Sequence, residues 1–451
     1  MNTLKSVGQR IQRKDARAKL TGTALYPQDI EMENCVYGAT VRSEIPHGYF
    51  TLDLTEAEKA PGVIRIFTAA DVTGHNVHGV LFKDHEVLCA RKVRRVGDPI
   101  AFVVAETQAQ ADDACALVKV SYEPLPAVFD PKEAMKEGAP QVHDGKDNLI
   151  YHYKCRRGDV QKGFADSAVV IEREYVSPFV DHVFLQPESG LAYMEEDKVV
   201  VVASTQYPHF DQIEVAEAIG WELEQVVILN PVVGGAFGGR EDISMQIHLA
   251  LATIALGRPV KTTMAREESF YAHSKRHPVY MRLKVGAAED GKLLALEAEL
   301  HGDTGAYASW AINVMRKAGV HITGPYEIEN VYVDSYSVYT NNPYAGAMRG
   351  FGATQVPVAY EQHMDLLAEA LGMSPYEIRM KNLFRKGSVT ANGQVLTDSV
   401  PLETCLEILN QAMNGGSEAA GSGRDSSGTG TAAATGAGTS AVPERSVTDN
   451  A

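Results

Sequence analysis

Cysteine is scarce in this 451-residue chain, and the five present, Cys35, Cys89, Cys115, Cys155 and Cys405, are scattered and odd in number. Such spacing fits reduced thiols better than a disulfide framework. No CxxC or comparable cluster occurs, so the chain is expected to carry no iron–sulfur centre or zinc site of its own. Basic charge is also short: 42 Lys and Arg stand against 58 Asp and Glu, a formal net charge of −16. A nucleic-acid binder needs a clustered basic face, so no nucleic-acid partner is expected. Long apolar runs are missing too. The N-terminus, MNTLKSVGQRIQRKDARAKL, offers no signal-peptide core, and no stretch approaches a spanning helix. The expectation is a cytoplasmic protein with no membrane partner.

What is present is an ordinary globular composition, 45% apolar and 22% charged, over a length that predicts two or three domains. From Lys19 to about Val128, the short β-rich runs Val63–Phe67, Pro99–Val104 and Leu117–Tyr122 are interrupted by helical composition at Thr107–Ala116, an α+β pattern. Lys132–Asp147 is polar enough for a connector. A second region runs from near Lys154 to about Arg385. Lys198–Ser204 and Gln225–Leu229 read as strands around a helix at Asp211–Ile219 stopped by Gly220. Ile243–Leu256 reads as an apolar helix closed by Gly257, Arg282–Leu300 as a hairpin turning at Glu289-Asp290-Gly291, and Val358–Leu371 as a helix ending at Gly372. Ser374-Pro375-Tyr376-Glu377 is a capping box with proline at the first helical position. After Met413, Gly415–Val442 is dominated by Gly, Ser, Ala and Thr, a composition that predicts disorder.

The most informative segment is Val232–Asp242, VVGGAFGGRED, between the predicted strand and the predicted helix at Ile243. Glycine pairs flanking Ala236-Phe237 open φ values closed to other residues, so several N–H groups can converge on an anion or oxo group. A helix N-terminus just beyond would add partial positive charge. The lysine–hydroxyl pair of a phosphate loop and the G-x-G-x-x-G of a dinucleotide fingerprint are both absent. The competing reading is a turn that only lets two elements pack closely. His273 and His277 have the four-residue spacing of two imidazoles on one helix face, but Ser274-Lys275-Arg276 between them supplies no glutamate and adds two cations. They, like His209, His248, His321 and His363, read as ordinary core or surface histidines.

Val232–Asp242 resembles the glycine-rich molybdopterin loop of xanthine dehydrogenases and aldehyde oxidases. Ser204-Thr205-Gln206 is similar to the family's motif whose glutamine hydrogen-bonds an oxo ligand of molybdenum, and Ala347–Gly352 (AMRGFG) to its arginine segment near the metal. Arg157-Gly158-Asp159-Val160 with Gly163-Phe164, then Gln186-Pro187-Glu188, resembles the approach to the first molybdenum-binding domain. Leu20-Thr21-Gly22, Asp29-Ile30, Pro61-Gly62-Val63 and Tyr122–Pro126 resemble the α/β hammerhead domain. Together these cover roughly residues 15–385 in the family's order.

The resemblance implies an α+β fold: an N-terminal extension (1–14), a hammerhead domain (15–130), a connector (131–153), the first molybdopterin-binding domain (154–413) and a disordered tail (414–451). Position by position, it implies that Gln206, Phe237, Gly238 and Arg349 surround a molybdenum cofactor, in plain molybdopterin or cytosine-dinucleotide form. Glu241 would hydrogen-bond an N-heterocyclic substrate, and Phe351 would stack on its ring. The family's substrate arginine aligns with Lys317, Arg316 standing just before it, and the match stays open. A purine such as xanthine is the leading substrate implied; the alternatives are nicotinate, an aldehyde, or a non-catalytic cofactor-binding half. In that family a glutamate of a Gly-Glu-Pro motif near the C-terminus is the general base, and electrons leave through the pterin to iron–sulfur clusters and FAD. No such motif, and no Gly-Gln-Gly-type segment, follows Arg385. The expectation is a shortened or naturally split protein that needs a second molybdenum-binding chain, an iron–sulfur subunit and an FAD subunit, and has little activity alone.

Overall fold

The computed structural model describes residues 5–414. Beyond Asn414, the tail expected to be disordered lies outside the described residues. Residues up to Leu402 form one unit, and a second begins at Glu403. The helix Leu402–Asn414, at the start of the latter, has Leu402, Leu406, Leu409 and Met413 at helical spacing.

A seven-stranded sheet organises the first unit, in the order Val226–Leu229, Lys198–Ala203, Ser189–Glu195, Val260–Thr263, Val36–Arg42, Pro99–Ala105 and Val63–Phe67. The strands are β-branched and nearly continuous in apolar character because both faces are covered: Pro99–Ala105 is buried at every position. Val36–Arg42 pairs in parallel with Val260–Thr263, Val36 opposite Val260. The sheet therefore runs unbroken from the N-terminal α+β region into the region that carries the glycine loop. On one face lies the helix Gln246–Leu256, whose Leu249, Ala250 and Ala252 are fully buried against Val201, Ala192 and Val260 in one core cluster. Burying a leucine such as Leu249 stabilises by roughly 1.5–3 kcal/mol.

A five-stranded sheet follows, ordered Val169–Ser177, Val279–Ala287, Leu293–Gly305, Asn330–Tyr339 and Leu149–Arg157. Its central hairpin turns where Glu289-Asp290-Gly291 predicted: Gly291 has φ +82° and Asp290 Oδ1 accepts the amide of Lys292 at 3.1 Å. The helix Ala311–His321 lies on this sheet, Ser335 Oγ donating to the Met315 carbonyl at 2.8 Å and Ser337 Oγ to that of Ala311 at 3.1 Å. Gly220, Gly257 and Gly372 close their helices in the left-handed conformation, and Ser374 and Glu377 form the capping box.

Several boundaries differ from expectation. The helix predicted from Ile243 starts at Gln246, because the Gln246 side chain accepts the amides of Ser244 and Met245, both at 2.9 Å, and holds them off the helix. The connector expected over 131–153 contains the short helix Pro131–Ala134 and ends in the strand Leu149–Arg157. The strand expected at Leu117 starts at Lys119, the amides of Leu117 and Val118 still being bonded back to Ala114 and Cys115. His273 caps the end of the helix Arg266–Ala272, and His277 follows the strand Lys275–Arg276, so the two share no helix face. No helix among the described residues is long and apolar enough to cross a membrane.

Candidate molybdenum-cofactor site

Two parallel neighbours in the large sheet, Lys198–Ala203 and Val226–Leu229, end side by side. The carboxyl ends of parallel strands are where α/β sheets open towards ligands. The first strand leads to Gln206, the second into Val232–Asp242. Glu241 therefore belongs to a turn, ahead of the helix starting at Gln246.

A third segment approaches from elsewhere. Lys275–Arg276 and Ala345–Gly346 pair in parallel, bringing Ala347–Gly352 against the glycine loop, where the Arg349 amide donates to the Phe237 carbonyl at 2.9 Å. Gly238 makes this approach possible. With φ +102°, a Cβ there would sit 2.6 Å from the Ala347 carbonyl oxygen. Phe237 and Phe351 both hold φ +53°, a conformation costly for aromatic side chains and typical of functional sites.

Gln206 links the first two segments. Its backbone amide donates to the Arg240 carbonyl at 2.9 Å, and its Oε1 accepts the Gly238 amide at 2.7 Å. A backbone N–H can only donate, so the side-chain orientation is fixed and Nε2 faces Glu241 Oε1 at 3.2 Å. Burial, reinforced by the neighbouring Asp242, pushes the Glu241 carboxyl up to about 7, with the Gln206 side-chain amide pulling the other way. Burial also raises Asp242, to about 6, against a hydrogen bond from Ser309 Oγ at 2.7 Å.

All seven residues singled out in the sequence, Gln206, Phe237, Gly238, Glu241, Lys317, Arg349 and Phe351, line one open cleft of about 570 Å³. Arg316, the other candidate for the substrate cation, is exposed and lies by Tyr153, outside the cleft lining. Sequence reasoning missed Tyr207, Trp310 and Asn313, which complete the walls. Trp310 meets Phe351 edge to face at 5.9 Å and Tyr207 at 6.0 Å. The signal was helical spacing: Trp310, Asn313 and Lys317 fall at i, i+3 and i+7, one face of the helix they start.

The donors suit an oxygen-rich, anionic group. Among the described residues, the amide of Phe237 in the cleft lining donates to no partner, as do those of Gly235 and Ala236 just outside it, Gln206 keeps a second N–H, and the Arg349 side chain is exposed in the lining. Among the described residues, no group of three or more His, Cys, Asp or Glu could hold a metal ion. A metal in this cleft would arrive on its own organic ligand, as a pterin dithiolene carries molybdenum.

Comparison with known proteins agrees with this chemistry. The molybdopterin cofactor-binding domain family matches residues 142–383, and the a/b hammerhead domain of aldehyde oxidase and xanthine dehydrogenase matches residues 21–126. The chain is 40% identical over 403 residues to the nicotinate dehydrogenase large molybdopterin subunit of Eubacterium barkeri, covering 89% of this chain and 95% of that protein. It is 36% identical to a probable xanthine dehydrogenase subunit of Bacillus subtilis strain 168, covering 88% of this chain and 53% of that one. Among solved structures, the aldehyde oxidoreductase of Desulfovibrio gigas superposes with a TM-score of 0.85 at 32% identity, over 89% of this chain and 46% of that chain. The chain thus spans about half the length of the second and third of these and nearly all of the first. It belongs to the xanthine dehydrogenase and aldehyde oxidase family, as a molybdopterin-binding chain of its molybdenum-dependent oxidoreductases.

Proposed function

We propose that this chain forms one wall of the active site of a molybdenum hydroxylase acting on a carboxylated N-heterocycle such as nicotinate. The net reaction converts a ring C–H and water into a ring C–OH, releasing two electrons and two protons. When bound, the molybdenum–pterin group, as molybdopterin or its cytosine dinucleotide, supplies the two-electron oxidation and the oxygen drawn from water. Iron–sulfur and FAD chains take the electrons onward, and a second molybdenum-binding chain brings the glutamate base.

The observation behind this reading is that Glu241, Lys317 and Phe351 line the same cleft as Gln206 and Phe237. A carboxyl that keeps its proton up to about pH 7 can donate to an acceptor ring nitrogen and stabilise charge gathering there as the ring carbon is attacked. Lys317 offers a point charge for a carboxylate, without the planar fork of an arginine. Phe351, met edge to face by Trp310, offers a ring face for a flat substrate, and the Gln206 side chain with the Phe237 backbone amide orients the cofactor's oxygens. The 95% coverage of the nicotinate dehydrogenase subunit favours the same substrate. A purine is the second reading, favoured by the likeness to the probable xanthine dehydrogenase subunit.

The test is to express the chain with its partner chains, determine molybdenum content, and compare turnover of nicotinate, hypoxanthine and a simple aldehyde. Turnover of nicotinate is expected. Turnover of hypoxanthine alone would replace the substrate assignment, and turnover by this chain alone would refute the need for partners.

A further inference from the structure

Arg240 and Glu188 take no part in the chemistry above, yet their side chains, 1% and 3% exposed, lie 3.2 Å apart directly beneath the glycine loop. A buried ion pair does not justify itself as stabilisation, since well-packed apolar residues are often as good or better. The remaining hydrogen bonds of the guanidinium indicate what it holds. Nη1 donates to Gln186 Oε1 at 3.0 Å, and Nη2 donates to the carbonyls of Gln186 at 3.1 Å and Pro187 at 3.4 Å.

Gln186 in turn grips the start of the loop. Its Oε1 accepts the Gly234 amide at 2.6 Å, and its own backbone amide donates to the Gly234 carbonyl at 3.3 Å. On the other side of the loop, the carbonyl of Arg240 accepts the amide of Gln206 at 2.9 Å. One residue thus spans the loop from its first glycine to the glutamine. The Phe184 ring lies 4.3 Å from the guanidinium carbon, and Ser244 Oγ donates to the free oxygen of Glu188 at 3.1 Å, closing the cluster on both sides.

We propose that Arg240 is a positioning residue, which through Gln186 and its own carbonyl fixes the spacing between the Phe237 amide and the Gln206 side chain, against which the cofactor's oxygens rest. The inference rests on the cofactor reading above. It requires the planar fork as well as the charge: a lysine can still face Glu188 but cannot donate to both Gln186 oxygens in this geometry.

The test uses the full chain assembled with its partner chains, comparing native protein with Arg240→Lys and Arg240→Met. The readouts are molybdenum content, the Mo(V) electron paramagnetic resonance spectrum, melting temperature, and hydrogen exchange over 204–208 and 232–242. Arg240→Lys should melt with the native protein while the 232–242 amides exchange about tenfold faster, the Mo(V) spectrum changes and molybdenum content falls several-fold. A lysine variant with native exchange and a native spectrum overturns the proposal. If Arg240→Met does not fold, Gln186→Leu cuts the same link to Gly234 and leaves the ion pair intact; faster loop exchange supports the role and native exchange overturns it. Should the native complex contain no molybdenum, the cofactor reading fails, while the exchange comparison still decides whether Arg240 orders the loop.

Discussion

Glu241 is a carboxyl that the folded chain makes reluctant to ionise. Folding raises its pKa from 4.5 to about 7, chiefly through burial, and raises that of Asp242 from 3.8 to about 6. The folded state therefore holds these protons more tightly than the unfolded chain. The resulting stabilisation is complete below the unfolded values and is lost as pH rises through about 6 to 7. We expect Glu241→Gln with Asp242→Asn to flatten this part of the stability profile, so that denaturant titrations show the variant gaining stability on the native chain as pH rises from about 5 to about 8. Catalysis should show the other side of the same proton. If the protonated carboxyl donates to the ring nitrogen, kcat/KM falls on the alkaline side of about pH 7, and Glu241→Gln, which still donates, removes that limb. Glu241→Ala should lower kcat/KM for the heterocycle by on the order of 100-fold and leave aldehyde turnover nearly unchanged. At Lys317, substitution by methionine should raise KM for a carboxylated ring about tenfold with little change in kcat, the mark of lost binding shared by ground and transition states.

At the scale of the element, the glycine loop and the helix behind it make different demands on sequence. Gly238→Ala would place a methyl group 2.6 Å from the Ala347 carbonyl at φ +102°. Strain of roughly 1–3 kcal/mol is expected, with the two loops forced apart, and the change should appear as molybdenum loss larger than the loss of thermal stability. Leu249→Ala empties a site at 0% exposure in the core of the sheet and should cost about 2–5 kcal/mol by denaturant unfolding, with the cofactor chemistry of the surviving folded protein intact. The elements that could be read from sequence were those with local signals. Gly220, Gly257 and Gly372 mark helix ends because only glycine enters the left-handed cap cheaply, and the Ser374–Glu377 box is complete within a single helical turn. The start of the helix at Gln246 was not legible, because periodicity carries no sign that a glutamine side chain will take the two amides ahead of it. The choice between Arg316 and Lys317 depends on helix phase, which motif likeness does not supply; Lys317 shares the cleft with Trp310 and Asn313, and Arg316 does not. The buried Arg240–Glu188 pair was similarly hidden, because its two residues lie far apart in the chain and each sits in a motif whose recognisable signal is carried by its neighbours.

For the whole molecule, motif order made the hammerhead and molybdopterin-binding regions readable, but not the fact that they share a sheet. Val36–Arg42 finds its parallel partner in Val260–Thr263, Lys261 Nζ donates to the carbonyls of Gln28 and Ile30, and Arg258 pairs with Glu106. None of these contacts has a local signature. A fragment of residues 15–130 should therefore fail to give a dispersed amide spectrum alone, since Val36–Arg42 would lose Val260–Thr263 and become a bare hydrophobic edge.

The same continuity has a practical consequence. A protease cutting the exposed stretch near Glu137-Gly138 would sever the backbone without parting the products, because the interstrand ladder would still tie one piece to the other. Under native conditions the clipped protein should elute from a sizing column as a single species, and only denaturing electrophoresis should reveal two polypeptides.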